Sequence, residues 1–243
     1  MNPDLRLALE LADAADAITM THFRSASLAV RTKTDLSPVS EADEAVERAL
    51  REILQRERPE DGIVGEEFGV SGASARRWIL DPIDGTKNYV RGVPVFGTLI
   101  ALDENGRIVA GVVSAPALAR RWWASRGEGA FCNGRAIHVS RVATIAEAYL
   151  STYALSEPFL GLARRAWRAC AFSDFWAHML VAEGALDAAV EAKLAPWDNA
   201  PLIVIVEEAG GRFTDLQSNA RIDGGSGVST NGLLHDAVLE ALQ

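Results

Sequence analysis

With 243 residues, 49% of them hydrophobic, the chain is long enough for one large α/β domain or two small ones around a substantial core. Its 33 acidic residues against 24 basic ones argue against a nucleic-acid backbone or an anionic membrane as the main partner, so a phosphate handled here needs metal ions or local cations. Cys132 and Cys170 make no disulfide framework, Asp4, Arg6 and Glu10 interrupt any signal-peptide core, and no apolar run would span a bilayer; a reducing cytoplasm is expected.

From Asp4 to Phe23, Leu5, Leu9, Ala12, Ala15 and Phe23 recur at helical spacing, which predicts a packing helix. Ser27 to Arg31 reads as a short strand and residues 32–38 as a polar loop, in which Lys33 is a solvated charge. Ser40-Glu41-Ala42-Asp43 has the form of a capping box, opening a helix through Val46, Leu50, Ile53 and Leu54 to about Arg58, where Pro59 stops it. Asp61 to Gly65 is a short strand running into Glu66-Glu67-Phe68. Alone that would be a solvated loop, but Glu66 lies fifteen residues before Asp81, so two neighbouring strands can bring these acids to one edge.

Trp78 to Asn88, WILDPIDGTKN, is the stretch around which the chain is organised. Trp78-Ile79-Leu80 predicts a buried strand that ends at Asp81-Pro82, and Gly85 permits a turn closed to other side chains. Asp81 and Asp84 then stand at the carboxyl end of a strand, where α/β sheets hold ligands. Two carboxylates on one bend repel unless a cation lies between them, and Thr86 and the turn amides can face an anion. Hard oxygen donors beside an oxyanion site point to Mg²⁺ and phosphate. The plain alternative is an Asp-rich turn capping a helix.

Val95 to Leu102, Ile108 to Ala115 and Arg121 to Ser125 predict an antiparallel meander, with Gly127 to Gly134 forming a further hairpin. Gly127-x-Gly129 is therefore no dinucleotide fingerprint. His138 is placed in a short strand with a structural role, and Trp122-Trp123 is either core or interface. A composition change near Ala143-Thr144 divides an N-terminal α+β lobe, 1–143, from a C-terminal α/β lobe, 144–243. In the second lobe strands are expected at Tyr149 to Tyr153, Trp167 to Phe172, Leu186 to Glu191 and Arg212 to Thr214. Helices are expected at Pro158 to Arg165, Ser173 to Gly184, Asp198 to Ala209 and Leu233 to Leu242, with Pro201 in a first helical turn. Alternating strands and helices favour a layered α/β fold.

Gly65-Glu66-Glu67, Asp81-Pro82-Ile83-Asp84-Gly85-Thr86 and Pro196-Trp197-Asp198 each put a carboxylate where a strand or loop gives way to a turn or helix. Together, with Glu207-Glu208-Ala209-Gly210-Gly211 after the last, they resemble the inositol monophosphatase-like family of Mg²⁺-dependent, lithium-sensitive phosphatases. Within it, Phe172-Ser173-Asp174-Phe175-Trp176 and Asp84-Gly85-Thr86-Lys87-Asn88 are most similar to the bacterial histidinol-phosphate phosphatases. The resemblance implies the α-β-α-β-α sandwich of inositol monophosphatase and fructose-1,6-bisphosphatase, commonly a homodimer, with two or three Mg²⁺ ions, Mn²⁺ able to stand in, and inhibition by Li⁺.

Carried over residue by residue, the resemblance implies that Glu66, Asp81 and the Ile83 carbonyl hold one metal. Asp84 and Asp198 would hold a second with Asp81 bridging, and Asp43 a weaker third through water. Most of these ligands fall in the first lobe, and Asp198 in the second. Glu66 and Thr86 would orient and deprotonate the attacking water, and the amides of Gly85 and Thr86 would hold phosphate. Lys87 departs from the family, standing where many members have a small hydroxyl residue, and would touch either phosphate or the partner subunit. Glu191 matches the position contacting the organic part of the substrate. Asp174 adds a second acid, and Phe175-Trp176 aromatic faces, which would suit the amine and imidazole of L-histidinol phosphate, an intermediate of histidine biosynthesis. Otherwise Asp174 only caps its helix and the aromatics are core. The competing expectations are an inositol-1-phosphate or broad sugar-phosphate phosphatase, an adenosine 3′,5′-bisphosphate phosphatase, or a non-catalytic metal-binding regulator.

Overall fold

The computed structural model describes residues 2–34, 36–152 and 156–243. In chain order its elements begin α1 (Pro3–His22), β1 (Val30–Thr32), β2 (Pro38–Ser40), α2 (Glu41–Glu57), β3 (Gly62–Gly65), β4 (Gly69–Ser71), β5 (Arg76–Asp84) and α3 (Thr86–Val90). There follow β6 (Gly97–Glu104), β7 (Arg107–Ala115), β8 (Arg120–Ser125), β9 (Gly129–Cys132), β10 (Arg135–Ala136), β11 (Tyr149–Thr152), α4 (Glu157–Arg165) and β12 (Arg168–Cys170). The chain closes with α5 (Asp174–Ala182), β13 (Ala188–Glu191), α6 (Pro196–Glu208), β14 (Arg212–Thr214), β15 (Gly227–Thr230) and α7 (His235–Ala241).

Period-two burial builds the layers. On β5, Trp78 and Leu80 join Ile100, Leu102 and Val112 beneath Leu11 of α1 and Val46 and Leu50 of α2. Ile79, between them, faces the other way with Leu99, Val113 and Trp122, against Phe175 and Met179 of α5 and Val204 of α6. Burying each such side chain stabilises the fold by about 1.5–3 kcal/mol before chain entropy is subtracted. The sheet they form has eight strands, in the order β10-β9-β8-β7-β6-β5-β3-β4. A second sheet of five, β12-β11-β13-β15-β14, lies against the far side of α5 through Ala189, and Val190 and Val228 pack outward onto α4 and α7. The result is the expected α-β-α-β-α sandwich, with α5 and α6 as the shared middle layer.

Several local expectations change. Pro82 does not end β5, because the ladder to β6 slips between Asp81 and Asp84 and then resumes at Asp84 opposite Gly97. The bulge leaves Pro82 no ladder hydrogen bond to donate, and its carbonyl accepts from Thr98 Oγ1 at 2.8 Å. Strand β10 stops at Ala136, so His138 lies beyond it on exposed chain. Helix α6 starts at Pro196, which lacks the N–H a first helical position cannot use, so Pro201 falls inside the helix. There it meets β7 closely: a Cβ on Gly111 would stand 2.9 Å from Pro201 Cα and 2.7 Å from Val204 Cγ1. Trp122 is core, and the half-buried Trp123 stacks on Phe131. Strands β4 and β15 carry little alternation and escaped the sequence reading, as did β2, whose Pro38 to Ser40 was read as loop and helix cap. Of the predicted strand 149–153, residue 153 lies outside the described residues.

Candidate active site

The bulge in β5 turns Asp81 and Asp84 toward the same side, and Gly85, at φ 79°, carries the chain into α3. A Cβ on Gly85 would press on the Val95 carbonyl at 3.0 Å, so glycine answers both the left-handed backbone and the close approach. The first turn of α6 brings Asp198 to the same place, its Oδ2 accepting the Ala195 N–H at 2.7 Å. One carboxylate oxygen each of Asp81, Asp84 and Asp198 then lie within 4.8 Å of one another.

This triad is electrostatically unsettled. Asp81 is 2% exposed, and its Oδ1 has no hydrogen-bond partner among the described residues. Burial above all, then the charges of Glu66, Asp84 and Asp198, pushes Asp81 well above the usual carboxylate range. Burial, then Asp174 and Asp198, does the same to Asp84 although the Phe175 N–H opposes it. Asp198 rises to about 6, chiefly through burial. Converging hard oxygens, one of them an unpaired buried acceptor, fit a divalent cation, which would supply the missing positive charge.

The other predicted residues surround the triad. Asp43 forms the predicted capping box, accepting from the Ser40 N–H at 2.8 Å and the Ser40 hydroxyl at 2.6 Å. Its second oxygen is 3.4 Å from Thr86 Oγ1, which donates to the Ile83 carbonyl at 2.9 Å. Asp43 and the Ile83 carbonyl thus both meet at the Thr86 hydroxyl. Glu66 follows β3, its N–H bonded to the Leu80 carbonyl at 3.2 Å, so it stands beside the end of β5.

Lys33 is not the solvated charge the loop composition led us to expect. Its Nζ lies 2.8 Å from Glu66 Oε1 and 2.7 Å from Glu67 Oε1. Burial alone would lower Lys33, but its bonds to the two glutamates hold its ammonium above the ordinary value. Glu67 is pushed up to about 7, mainly by burial and against the pull of Lys33. The sequence held one overlooked signal, a lysine amid a loop leading straight to Asp43.

On the far wall, Asp174 is a non-glycine residue at φ 59°. Ser173 is the N-cap of α5 and makes no side-chain cap bond, and Asp174 Oδ2 instead accepts from Ser173 Oγ at 2.8 Å and approaches Asn88 Nδ2 at 3.5 Å. Its N–H donates to Glu191 Oε1 at 2.6 Å. Burial, then Asp174, raises Glu191 to about 8. The aromatic faces expected beside these acids lie elsewhere: Phe175 is core, and Trp176 packs edge-on against Trp122. The first turn of α5 points them into the layer between the sheets. A cleft of about 430 Å³ joins Glu66, Asp84, Thr86 and Asp198 to Asp174 and Glu191, with the exposed Lys87 and Lys193 at its lining. Sequence reading missed Asn88 and Lys193, which carry no pattern of their own.

The sequence pattern of the inositol monophosphatase family matches residues 1–243. The histidinol-phosphatase of Mycobacterium tuberculosis is 53% identical, the alignment covering 98% of this chain and 97% of that protein. That of Streptomyces coelicolor is 51% identical, over 97% and 95%. Among solved structures, the IMPase of Thermotoga maritima superposes with a TM-score of 0.90 at 33% identity, covering 99% of this chain and 97% of the other.

Proposed function

The chain belongs to the inositol monophosphatase family and is a phosphoric monoester hydrolase, and we propose that its substrate is L-histidinol phosphate, cleaved with Mg²⁺ to L-histidinol and phosphate in histidine biosynthesis. The observation that carries the choice is the cleft itself, whose lining runs from Asp84 and Asp198 of the acid triad to the acid pair Asp174 and Glu191. An alcohol phosphate with a cationic amine complements both ends.

A phosphate monoester resists water because its negative charge repels nucleophiles and its alkoxide leaves poorly. Divalent ions held by Glu66, Asp81, the Ile83 carbonyl, Asp84 and Asp198, with Asp43 serving a weaker third through water, would supply Lewis-acid chemistry at both the attacking and leaving oxygens. The rest falls to the chain. Thr86 spends its hydrogen on the Ile83 carbonyl, so its lone pairs are left to accept from the attacking water and aim it at phosphorus. Glu66 takes the proton as the water oxygen bonds to phosphorus and the bond to the alcohol oxygen breaks; the departing alkoxide takes a proton from bulk water, to which Glu66 returns its own. The Gly85 and Thr86 amides, in a helix's first turn and so without intrahelical acceptors, hold phosphate oxygens, and Lys87 contributes charge at the rim. At the other end the ammonium sits between Asp174 and Glu191, where it offsets the burial and the Asp174 charge that raise Glu191.

In this reading the lobe of residues 1–143 supplies most of the metal ligands, and that of 144–243 supplies Asp198 and the amine-binding acids. It supports such a division that the eight-stranded sheet draws only on strands up to β10 and the five-stranded sheet only on later ones. The reading includes a cytoplasmic homodimer, which light scattering on the purified protein tests. The decisive experiment compares kcat/KM for histidinol phosphate, inositol-1-phosphate and adenosine 3′,5′-bisphosphate with Mg²⁺. A preference of about a hundredfold or more for histidinol phosphate is expected, and parity or a lead for inositol phosphate would overturn the substrate assignment.

A further inference from the structure

Glu47 is a fully buried carboxylate, 0% exposed, one helical turn after Asp43 and so on the same face of α2. Its oxygens are spent on the backbone that follows Glu66. Oε2 accepts the Glu67 N–H at 2.7 Å and Oε1 the Phe68 N–H at 3.1 Å. Arg51, on the next turn, donates Nε to Oε1 at 2.8 Å and reaches Ser71 Oγ in β4 at 2.9 Å, with the Gly69 carbonyl also in its grip. Gly65 completes the arrangement, because a Cβ there would fall inside the Glu47 carboxylate. Phe68 lies under the guanidinium groups of Arg48 and Arg51, at 5.3 and 6.0 Å.

These contacts do more than cap a turn. Before Glu66 the chain is fixed by the pairing of Gly65 with Leu80, and at Glu66 by its own N–H on the Leu80 carbonyl. After Glu66 two consecutive amides close on one buried carboxylate. Such charge-assisted bonds are stronger than neutral ones and fix the peptide that joins Glu66 to Glu67. Glu66 is thus held on both sides, and the second hold comes from a residue in no contact with the cleft. A buried carboxylate costs desolvation, and replacing it by an apolar side chain would fill the space more cheaply if packing were its only use.

We infer that Glu47 is a positioning residue that sets the backbone of Glu66 to Phe68 so that the Glu66 carboxylate meets the metal and the attacking water. The inference rests on the role given to Glu66 above.

The test uses the full chain with three substitutions, Glu47→Gln, Glu66→Gln and Arg76→Met, the last removing a guanidinium that ties Asp4, Asp61 and Glu104 together at the opposite end of β5. Mg²⁺ affinity is read by calorimetry without substrate, alongside kcat, KM for histidinol phosphate and melting temperature. E47Q keeps the shape but offers an N–H where two amides need acceptors. It is expected to weaken Mg²⁺ binding about tenfold or more and to lower kcat by one to two decades, with KM within about twofold. R76M is expected to lower the melting temperature while leaving Mg²⁺ affinity unchanged. If E47Q does not fold, Glu47→Asp, which keeps the charge but withdraws it by a methylene, carries the same expectation. Loss in E66Q with wild-type Mg²⁺ affinity in the Glu47 variant would overturn the positioning role alone. Equal weakening by R76M would reduce it to general stability and overturn it likewise, and wild-type behaviour in E66Q would overturn the role of Glu66 and this inference together.

Discussion

Asp84 Oδ2 accepts the backbone N–H of Phe175 at 2.7 Å, tying the end of β5 to the start of α5. The preceding amide, that of Asp174, donates to Glu191 Oε1 at 2.6 Å. Two consecutive N–H groups therefore grip two carboxylates, one in the acid triad and one at the substrate end, and the left-handed backbone of Asp174 makes this possible. The acid triad and the Asp174–Glu191 pair are thus joined through one hydrogen-bonded unit.

The charge of Asp174 and its left-handed backbone can therefore be tested separately. Asp174→Ala is expected to raise KM for histidinol phosphate at least about tenfold more than for inositol-1-phosphate, since only the former offers an ammonium. Asp174→Gly removes the same charge but suits φ 59°, and should melt above the alanine variant by an amount equivalent to about 1 kcal/mol. Equal KM changes on both substrates would count against amine binding.

Asp81→Asn removes the most central carboxylate while keeping its shape. Turnover should fall by about three decades or more, the scale of losing an electrostatic contact made at the reacting phosphate. The metal-free variant should melt no lower than the parent, because a buried charge is gone from a repelling cluster. Near-parental turnover would remove Asp81 from the metal site.

The pH dependence of stability follows from the same cluster. Asp81, Asp84, Asp198 and Glu191 have folded-state pKa values above their ordinary ones, reaching about 6 for Asp198 and about 8 for Glu191. Above about pH 4 the metal-free fold thus binds more protons than the unfolded chain, and this contribution is lost as pH rises toward about 8. His178 and His235, held down to about 4 by burial, act oppositely, contributing stability that is lost only as pH falls below about 6.5. The melting temperature of metal-free protein should therefore decline from about pH 6.5 to 8.5, and the rise produced by Mg²⁺ should grow over that range. A Mg²⁺ effect independent of pH would contradict the carboxylate account.

Gly111→Ala tests the contact between the middle helices and the large sheet. A methyl there would overlap Val204 and Pro201, whose backbone cannot withdraw. A loss of about 1–3 kcal/mol in unfolding free energy is expected, the scale of an overpacked contact. A denaturant midpoint equal to the parent's would show that α6 can shift.

What the sequence determined by itself was local: the buried strand at Trp78 to Leu80, the Ser40 to Asp43 capping box, and the turn at Gly85 that follows Asp84. These are legible because period and turn chemistry act over a few residues. The continuation of β5 past Pro82 was not, since a bulge depends on the partner strand. Nor were the pairing of Lys33 with Glu66 and Glu67, the inward turn of Phe175 and Trp176, or the hold of Glu47 on the two amides after Glu66. Each joins segments tens of residues apart, and their separation is set by how α1, α2, α5 and α6 pack on the sheets. The composition of a loop or helix face does not reveal which distant charge it will meet; only the packed layers decide that.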